Sequence, residues 1–100
     1  MRFLGFFGSK KKKLADFHNR GAMILDVRSQ GEYDLGAVSG AKHIPLDVLP
    51  SKILEVKRWN KPVITYCEKG GRSEMAANIL RTNGLEVLNG GGYEWLSKNL

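Results

Sequence analysis

Apolar residues along this chain fall into short runs that polar stretches and glycines separate. Residues 22–27 read AMILDV, and residues 63–67 read VITYC. Runs of this length, rich in β-branched residues, are typical of strands that are buried on both faces of a parallel sheet. Shorter apolar runs near residues 41–44 and 85–88 predict two further strands.

Helical spacing occurs between these runs. Leu14 and Phe17 give an apolar face to a helix predicted over residues 10–20, with Ser9 as its N-cap and Gly21 at its end. Further helices are predicted around residues 30–35, 46–60, 73–83 and 93–100. This alternation predicts an α/β fold of three layers, with a central, mostly parallel sheet of about five strands and helices on both faces.

The ends of this pattern are less regular. The opening residues 1–8, MRFLGFFG, are too short to span a membrane and are interpreted as an apolar packing segment, with an edge strand as one form it could take. A peripheral membrane anchor, formed by these phenylalanines and the lysines at 10–13, is the alternative. Near the other end, Gly90–Gly92 predicts a turn.

Composition narrows the class of protein. A chain of 100 residues with 42% hydrophobic and 26% charged residues predicts one globular domain over 1–100 rather than a disordered segment. A single cysteine excludes an intramolecular disulfide and favours a reducing compartment, so a cytoplasmic location is expected. The net charge of +6 favours anionic ligands. Because no aromatic residue interleaves with the lysine run, nucleic acid is not expected as a partner.

The single cysteine, Cys67, lies at the carboxyl end of a predicted strand, where α/β proteins bind ligands. A lone cysteine is often just a small buried apolar residue. Here the charged residues Glu68, Lys69 and Arg72 follow it, and they are costly to bury, so the chain must reach the surface directly after the strand. The thiol is therefore predicted to lie at the rim of the fold.

The loop after Cys67 has the composition of an anion cradle. Two glycines at 70–71 allow a tight curl in which several backbone N–H groups converge on one point. The helix that starts near Ser73 adds the positive end of its dipole, and Lys69 and Arg72 add cations. These features predict a thiolate at neutral pH without a histidine base. His18 and His43 are accordingly interpreted as structural.

The length of the loop indicates the size of its guest. Four residues lie between Cys67 and Arg72, one fewer than in the C-x5-R cradle that cysteine phosphatases use to bind phosphate. A tighter ring suits a smaller anion, such as the terminal sulfur of a cysteine persulfide. A phosphatase or an arsenate reductase remains an alternative.

Four segments together resemble the rhodanese family of single-domain sulfurtransferases. They are ILDVR at 24–28 with Glu32 and Tyr33, GAVSGAKHIPL at 36–46, VITYCEKGGRS at 63–73 and LNGGGYEW at 88–95. They occur in family order, and the resemblance as a whole extends over nearly all of the chain, from about Ser9 to Asn99. Ala37 is a departure, because the family usually has a histidine there.

The resemblance implies a rhodanese-like domain with Cys67 as the catalytic residue. It also implies an active-site and substrate-binding loop formed by Glu68, Lys69, Gly70, Gly71, Arg72 and Ser73. Three further residues are implied at the rim of the pocket, where Asp26 is expected to be hydrogen-bonded and Arg28 to pair with Glu32. No cofactor or metal ion is expected.

The implied activity is transfer of sulfane sulfur from a small sulfur-containing anion such as thiosulfate, through a Cys67 persulfide, to cyanide or a thiol acceptor. A protein could also serve as the sulfur donor or acceptor. The alternative is a sulfur-carrier or protein-binding module of the same fold that turns over slowly by itself.

Overall fold

The computed structural model describes the backbone of residues 2–100 and the side chains of residues 9–100. Four strands form one fully parallel sheet: β1 Met23–Asp26, β2 Lys42–His43, β3 Val63–Cys67 and β4 Val87–Gly92. Five α-helices accompany them: α1 Arg2–Asn19, α2 Gln30–Asp34, α3 Ile53–Arg58, α4 Gly71–Thr82 and α5 Tyr93–Asn99. The predicted α/β fold is confirmed, with four strands instead of about five.

The expected fifth strand was the edge strand considered for the start of the chain. Helix α1 begins at Arg2, so residues 2–8 are helical and no edge strand forms there. Ser9 lies within this helix instead of capping it. The physical reason is continuity: no proline stops the helix before residues 10–13, and lysine is a good helix former. The alternative of a membrane anchor depends on the side chains of residues 1–8, which lie outside the described ones.

The turn predicted at Gly90–Gly92 is also wrong, because these glycines form the end of β4. Close packing explains why glycine is needed in this strand. A Cβ on Gly90 would lie 2.9 Å from both Cγ2 of Ile64 and the carbonyl oxygen of Thr65. A Cβ on Gly92 would lie 2.7 Å from the carbonyl oxygen of Glu68. The last residues of β4 can therefore lie against β3 and its loop only without side chains.

Apolar side chains fill both faces of the sheet. On one face, Leu14 and Phe17 of α1 and Leu96 of α5 pack with Ile24 and Ile64 of the strands. On the other face, α3 and α4 pack against residues of β1 and β3 and the residue that follows β1. The helices contribute Val56, Ala76, Ala77 and Leu80, and the sheet contributes Leu25, Val27 and Val63. The sheet is thus the middle layer of three, which explains the continuous apolar runs in its central strands.

The order of strands determines where a ligand can bind. Along the sheet the order is β2-β1-β3-β4, so the chain leaves β1 toward one edge and later continues from β3 toward the other. Such a switch point leaves a crevice at the carboxyl ends of the two central strands. Asp26 ends β1 and Cys67 ends β3, so both lie at this crevice.

The packing around Gly90 gives a test of the β4 register. We expect Gly90→Ala to lower the free energy of unfolding by about 1–3 kcal/mol, because the added methyl group overpacks the contact with Ile64 and Thr65. Urea unfolding monitored by circular dichroism measures this change. Gly31→Ala is the matched control: no heavy atom lies within 4 Å of the added Cβ, so stability should be unchanged or slightly higher. Equal midpoints for Gly90→Ala and the wild type would contradict this packing.

Candidate active site

Cys67 lies at the end of β3 with only 1% of its surface exposed, and it is the free cysteine of the chain. Its side chain contacts the core on the face of α3 and α4, while its sulfur faces the loop that leads into α4. Cys67 therefore belongs to the core and to the crevice at once. It also lies at the wall of a pocket of about 410 Å³.

Backbone N–H groups of the loop converge on the sulfur. The N–H of Gly70 donates to Sγ at 3.0 Å, and the N–H of Ser73 donates at 3.3 Å. Gly70 has a φ of 111°, a backbone conformation that glycine adopts without strain. Helix α4 begins directly afterwards at Gly71, slightly earlier than predicted. The glycines thus form the curl that the sequence predicts.

The hydroxyl of Ser73 is a third neighbour of the sulfur, 3.4 Å from Sγ. The same oxygen lies 2.7 Å from Oδ1 of Asn89, which also accepts from the N–H of Gly91 at 2.9 Å. A hydroxyl has one proton to donate. With a thiol, Sγ–H donates to Ser73, and Ser73 donates to Asn89. With a thiolate, the hydroxyl can donate to the sulfur instead, while Asn89 keeps its bond from Gly91.

These contacts favour the charged form of the sulfur. Burial raises the pKa of the Cys67 thiol, but the hydrogen bonds from the Ser73 hydroxyl and from the N–H groups of Ser73, Gly70 and Lys69 outweigh it. The pKa is therefore lowered from its ordinary value. The main stabilisation of the thiolate comes from short hydrogen bonds of the loop, of the kind that anions accept from backbone nests.

The pocket beside the sulfur is lined by Cys67, Glu68, Lys69, Gly71, Arg72 and Glu32. Arg72 does not face it as an isolated cation. Its Nη1 and Nη2 donate to Oε1 and Oε2 of Glu32 at 2.7 and 2.9 Å. This two-point pair joins α2 to the first turn of α4 across the pocket wall.

The predicted pair between Arg28 and Glu32 is therefore wrong. Arg28 is 3% exposed and turns inward, where its Nη2 donates to Oδ2 of Asp26 at 2.7 Å and to the carbonyl oxygen of Gly36 at 2.6 Å. Its Nη1 lies 3.4 Å from Oε1 of Glu68, so it also reaches the loop. Asp26 accepts hydrogen bonds, as expected. Asp26 is fully buried and does not line the pocket beside Cys67.

Tyr66 completes this buried cluster, and its role was not predicted from the sequence. Its hydroxyl donates to Oδ2 of Asp26 at 2.6 Å and accepts from the N–H of Val38 at 2.9 Å. Burial and the bond to Asp26 raise the pKa of Tyr66 well above its ordinary value, so it stays protonated. The only sequence signal for it was an aromatic residue directly before the cysteine.

Asn89 is the second residue that sequence reasoning missed. Besides accepting from Ser73, its Nδ2 donates to the carbonyl oxygen of Gly70 at 3.3 Å and to Oε1 of Glu74 at 3.2 Å. It thus connects β4 to the loop and to α4. A polar residue at the end of a predicted strand, just before three glycines, was the available signal.

Other side chains have structural contacts. His43 bonds to the carbonyl oxygen of Arg28 through Nε2 at 2.8 Å and stacks on Tyr33, with ring centroids 4.3 Å apart. Among the residues that the structure describes, no group of three or more His, Cys, Asp or Glu side chains is placed to hold a metal ion. In the same part of the chain, no helix combines the length and the apolar character needed to cross a membrane.

Comparison with known proteins gives the family. A family model of the rhodanese-like domain matches residues 10–98. The chain belongs to the rhodanese family. The resemblance noted in the sequence is thus confirmed, and the family is one of sulfurtransferases.

Individual relatives align with most of the chain. It is 42% identical to YqhL of Bacillus subtilis over 82 residues, which are 79% of this chain but only 64% of YqhL. It is 32% identical to the thiosulfate sulfurtransferase GlpE of Pseudomonas fluorescens, with 76% of this chain and 72% of GlpE aligned. A rhodanese-like domain protein from Staphylococcus aureus has a similar crystal structure, with a TM-score of 0.71, 28% identity and 86% of each chain covered.

The hydrogen bond from Ser73 gives a test of the thiolate cradle. We expect Ser73→Ala to move the midpoint of the rate of alkylation by iodoacetamide against pH to a higher pH, because the thiolate loses one donor while the backbone N–H groups stay. The wild-type midpoint should lie below the ordinary thiol value of about 8.5. Ser97→Ala, at an exposed position, is the control. An unchanged midpoint in Ser73→Ala would mean that the hydroxyl does not stabilise the thiolate.

Proposed function

We propose that this rhodanese-like chain is a sulfurtransferase that transfers a sulfane sulfur from a donor such as thiosulfate to Cys67 and then to an acceptor. The observation that carries the proposal is the convergence of the Gly70 and Ser73 N–H groups on Sγ, at distances of 3.0 and 3.3 Å, beside an open pocket. Such a cradle stabilises a negative charge on one sulfur atom. The similarity to a thiosulfate sulfurtransferase supports the choice of donor.

The first step is nucleophilic attack. The Cys67 thiolate attacks the outer sulfur of thiosulfate, an S–S bond forms to Cys67, and the S–S bond of the donor breaks. Sulfite leaves with the electron pair, and Cys67–S–S⁻ remains. Lys69 is exposed at the pocket and can attract the anionic donor, and Arg72 can bind the donor where it displaces Glu32.

The second step regenerates the free Cys67 thiolate. Cyanide, or a thiolate of a small molecule or a protein, attacks the terminal sulfur of Cys67–S–S⁻. The Cys67 thiolate then leaves, and thiocyanate or a new persulfide is released. The N–H groups of Gly70 and Ser73 stabilise the charge on this leaving sulfur. A reducing compartment such as the cytoplasm would keep the thiol ready for the next cycle.

The other candidate residues have supporting roles in this proposal. Gly70 and Gly71 shape the loop, and Ser73 stabilises the thiolate. Asp26 and Arg28 form a buried pair, and Arg28 also contacts the partly exposed Glu68 at the base of the loop. The alternative is a carrier module that receives sulfur from a protein persulfide. Such a module would use the same residues. A phosphatase or an arsenate reductase ranks lower, because four residues between Cys67 and Arg72 leave a small ring.

Mass spectrometry of the intact protein tests the proposal. Reduced protein mixed with thiosulfate should gain the mass of one sulfur atom, and cyanide should then restore the original mass and release thiocyanate. Cys67→Ser should abolish both steps, because a serine hydroxyl is not ionised at neutral pH and cannot form the S–S bond. Aryl phosphates should remain intact. Release of phosphate that depends on Cys67, with no persulfide from any donor, would support the phosphatase alternative.

A second test concerns the geometry of Arg72. Arg72→Ala should slow loading of sulfur from thiosulfate by about 100-fold, because a planar cation that can hold an oxyanion by two N–H groups is lost. Arg72→Lys should recover little of this rate, since a lysine cannot reproduce the two-point geometry. Mass spectrometry of samples quenched at successive times gives the rate of sulfur loading. Full activity of Arg72→Lys would show that a point charge is sufficient and that Arg72 does not orient the donor.

A further inference from the structure

Arg72 and Glu32 form a closed pair in the wall of the pocket that contains Cys67. Both carboxylate oxygens of Glu32 accept from the guanidinium, at 2.7 and 2.9 Å. This is the geometry in which an arginine binds the oxygens of an anionic substrate. The Glu32 carboxylate therefore occupies the place on Arg72 where the sulfonate end of thiosulfate would bind.

Glu32 is fixed in this position by its own helix. It is the N3 residue of α2, where Oε1 accepts from the backbone N–H of Ser29 at 3.0 Å and the N–H of Glu32 donates back to the Ser29 hydroxyl at 3.2 Å. This capping box orients the carboxylate before any ligand binds. The hydrogen bond from Arg72, together with those from Ser29, lowers the pKa of Glu32 to about 2, so it stays charged at neutral pH.

The charges around the pocket cancel. Its lining includes two carboxylates, Glu32 and Glu68, and two cations, Lys69 and Arg72. The Cys67 thiolate adds one negative charge at the wall. A donor with two negative charges, such as thiosulfate, thus enters a pocket with no excess of positive charge and must compete with Glu32 for Arg72.

We infer that Glu32 is a specificity-determining residue that opposes the binding of small dianionic donors and favours persulfides, R–S–SH, as the donor class. The inference rests on the sulfurtransferase function proposed above. With a persulfide, the Cys67 thiolate attacks the outer sulfur, the bond between the two donor sulfurs breaks, and R–S⁻ leaves with the electron pair. The product is Cys67–S–SH. This donor has no sulfonate, so the pair between Glu32 and Arg72 stays intact during transfer.

Binding without reaction is the first test. Calorimetry compares thiosulfate binding to Cys67→Ser and to Cys67→Ser combined with Glu32→Gln. Glutamine at N3 preserves the capping box, so α2 should keep its position while the charge is removed. We expect thiosulfate to bind about fivefold more tightly to the double variant, as for loss of a competing, partly exposed ion pair. Equal affinities would overturn the role of Glu32.

A matched control separates a local effect from a change in net charge. Glu86 forms a similar two-point pair with Arg20, at 2.9 and 2.7 Å, directly before β4 and at the amino ends of the strands, whereas Cys67 lies at their carboxyl ends. Glu86→Gln removes one negative charge and one arginine partner far from Cys67. Thiosulfate affinity should not change in Cys67→Ser combined with Glu86→Gln. An equal gain in affinity there would also overturn the inference.

Sulfur loading is the second test, with Cys67 present. Thiosulfate is compared with N-acetylcysteamine persulfide, which carries no charge apart from its sulfur. Glu32→Gln should raise the ratio of the thiosulfate rate to the persulfide rate about fivefold relative to the wild type. An unchanged ratio would overturn the proposed specificity. Failure of every donor to load the wild type would instead overturn the sulfurtransferase proposal, and the binding comparison would still decide what Glu32 does.

Discussion

The hydrogen bonds that the loop donates to the sulfur of Cys67 are the constraint on which the site depends. The N–H groups of Gly70 and Ser73 can reach Sγ only if the chain turns through a positive φ at Gly70, immediately after a fully buried strand. The loop then lies so close to the end of β4 that no side chain fits at position 92, which is a glycine. The core therefore includes Cys67 itself, and the position of its sulfur depends on the pairing of β3 with β4.

A buried polar cluster connects this loop to the end of β1. Asp26, Arg28 and Tyr66 are almost fully buried, and among the described side chains no buried nitrogen or oxygen lacks a hydrogen-bond partner. Removal of one member of such a pair typically costs about 3–5 kcal/mol, because the remaining charge stays buried. Since Arg28 also contacts Glu68, the cluster connects the end of β1 to the loop after β3. It thereby holds the two central strands in position at the crevice.

The sequence predicted most of this fold because its signals are local. The apolar runs at 22–27 and 63–67 are typical of burial on both faces, and the glycines after Cys67 mark the tight turn that follows the strand. The glycines of β4 were assigned to a turn because they have no side chains to show the period of a strand. What makes them strand residues is the close approach of β3, which is a tertiary contact.

The error over Glu32 has a similar origin and a larger consequence. The family resemblance implied that Arg28 pairs with Glu32, but α2 begins only at Gln30, and Arg28 turns into the core toward Asp26. Glu32 is thus free to face Arg72, 40 residues away in sequence. No spacing rule connects residues so far apart, so only the fold reveals that the pocket's arginine has a partner. The same carboxylate orders the pocket wall and neutralises the cation there, so a rigid pocket and a strongly cationic pocket are alternatives that this site cannot combine.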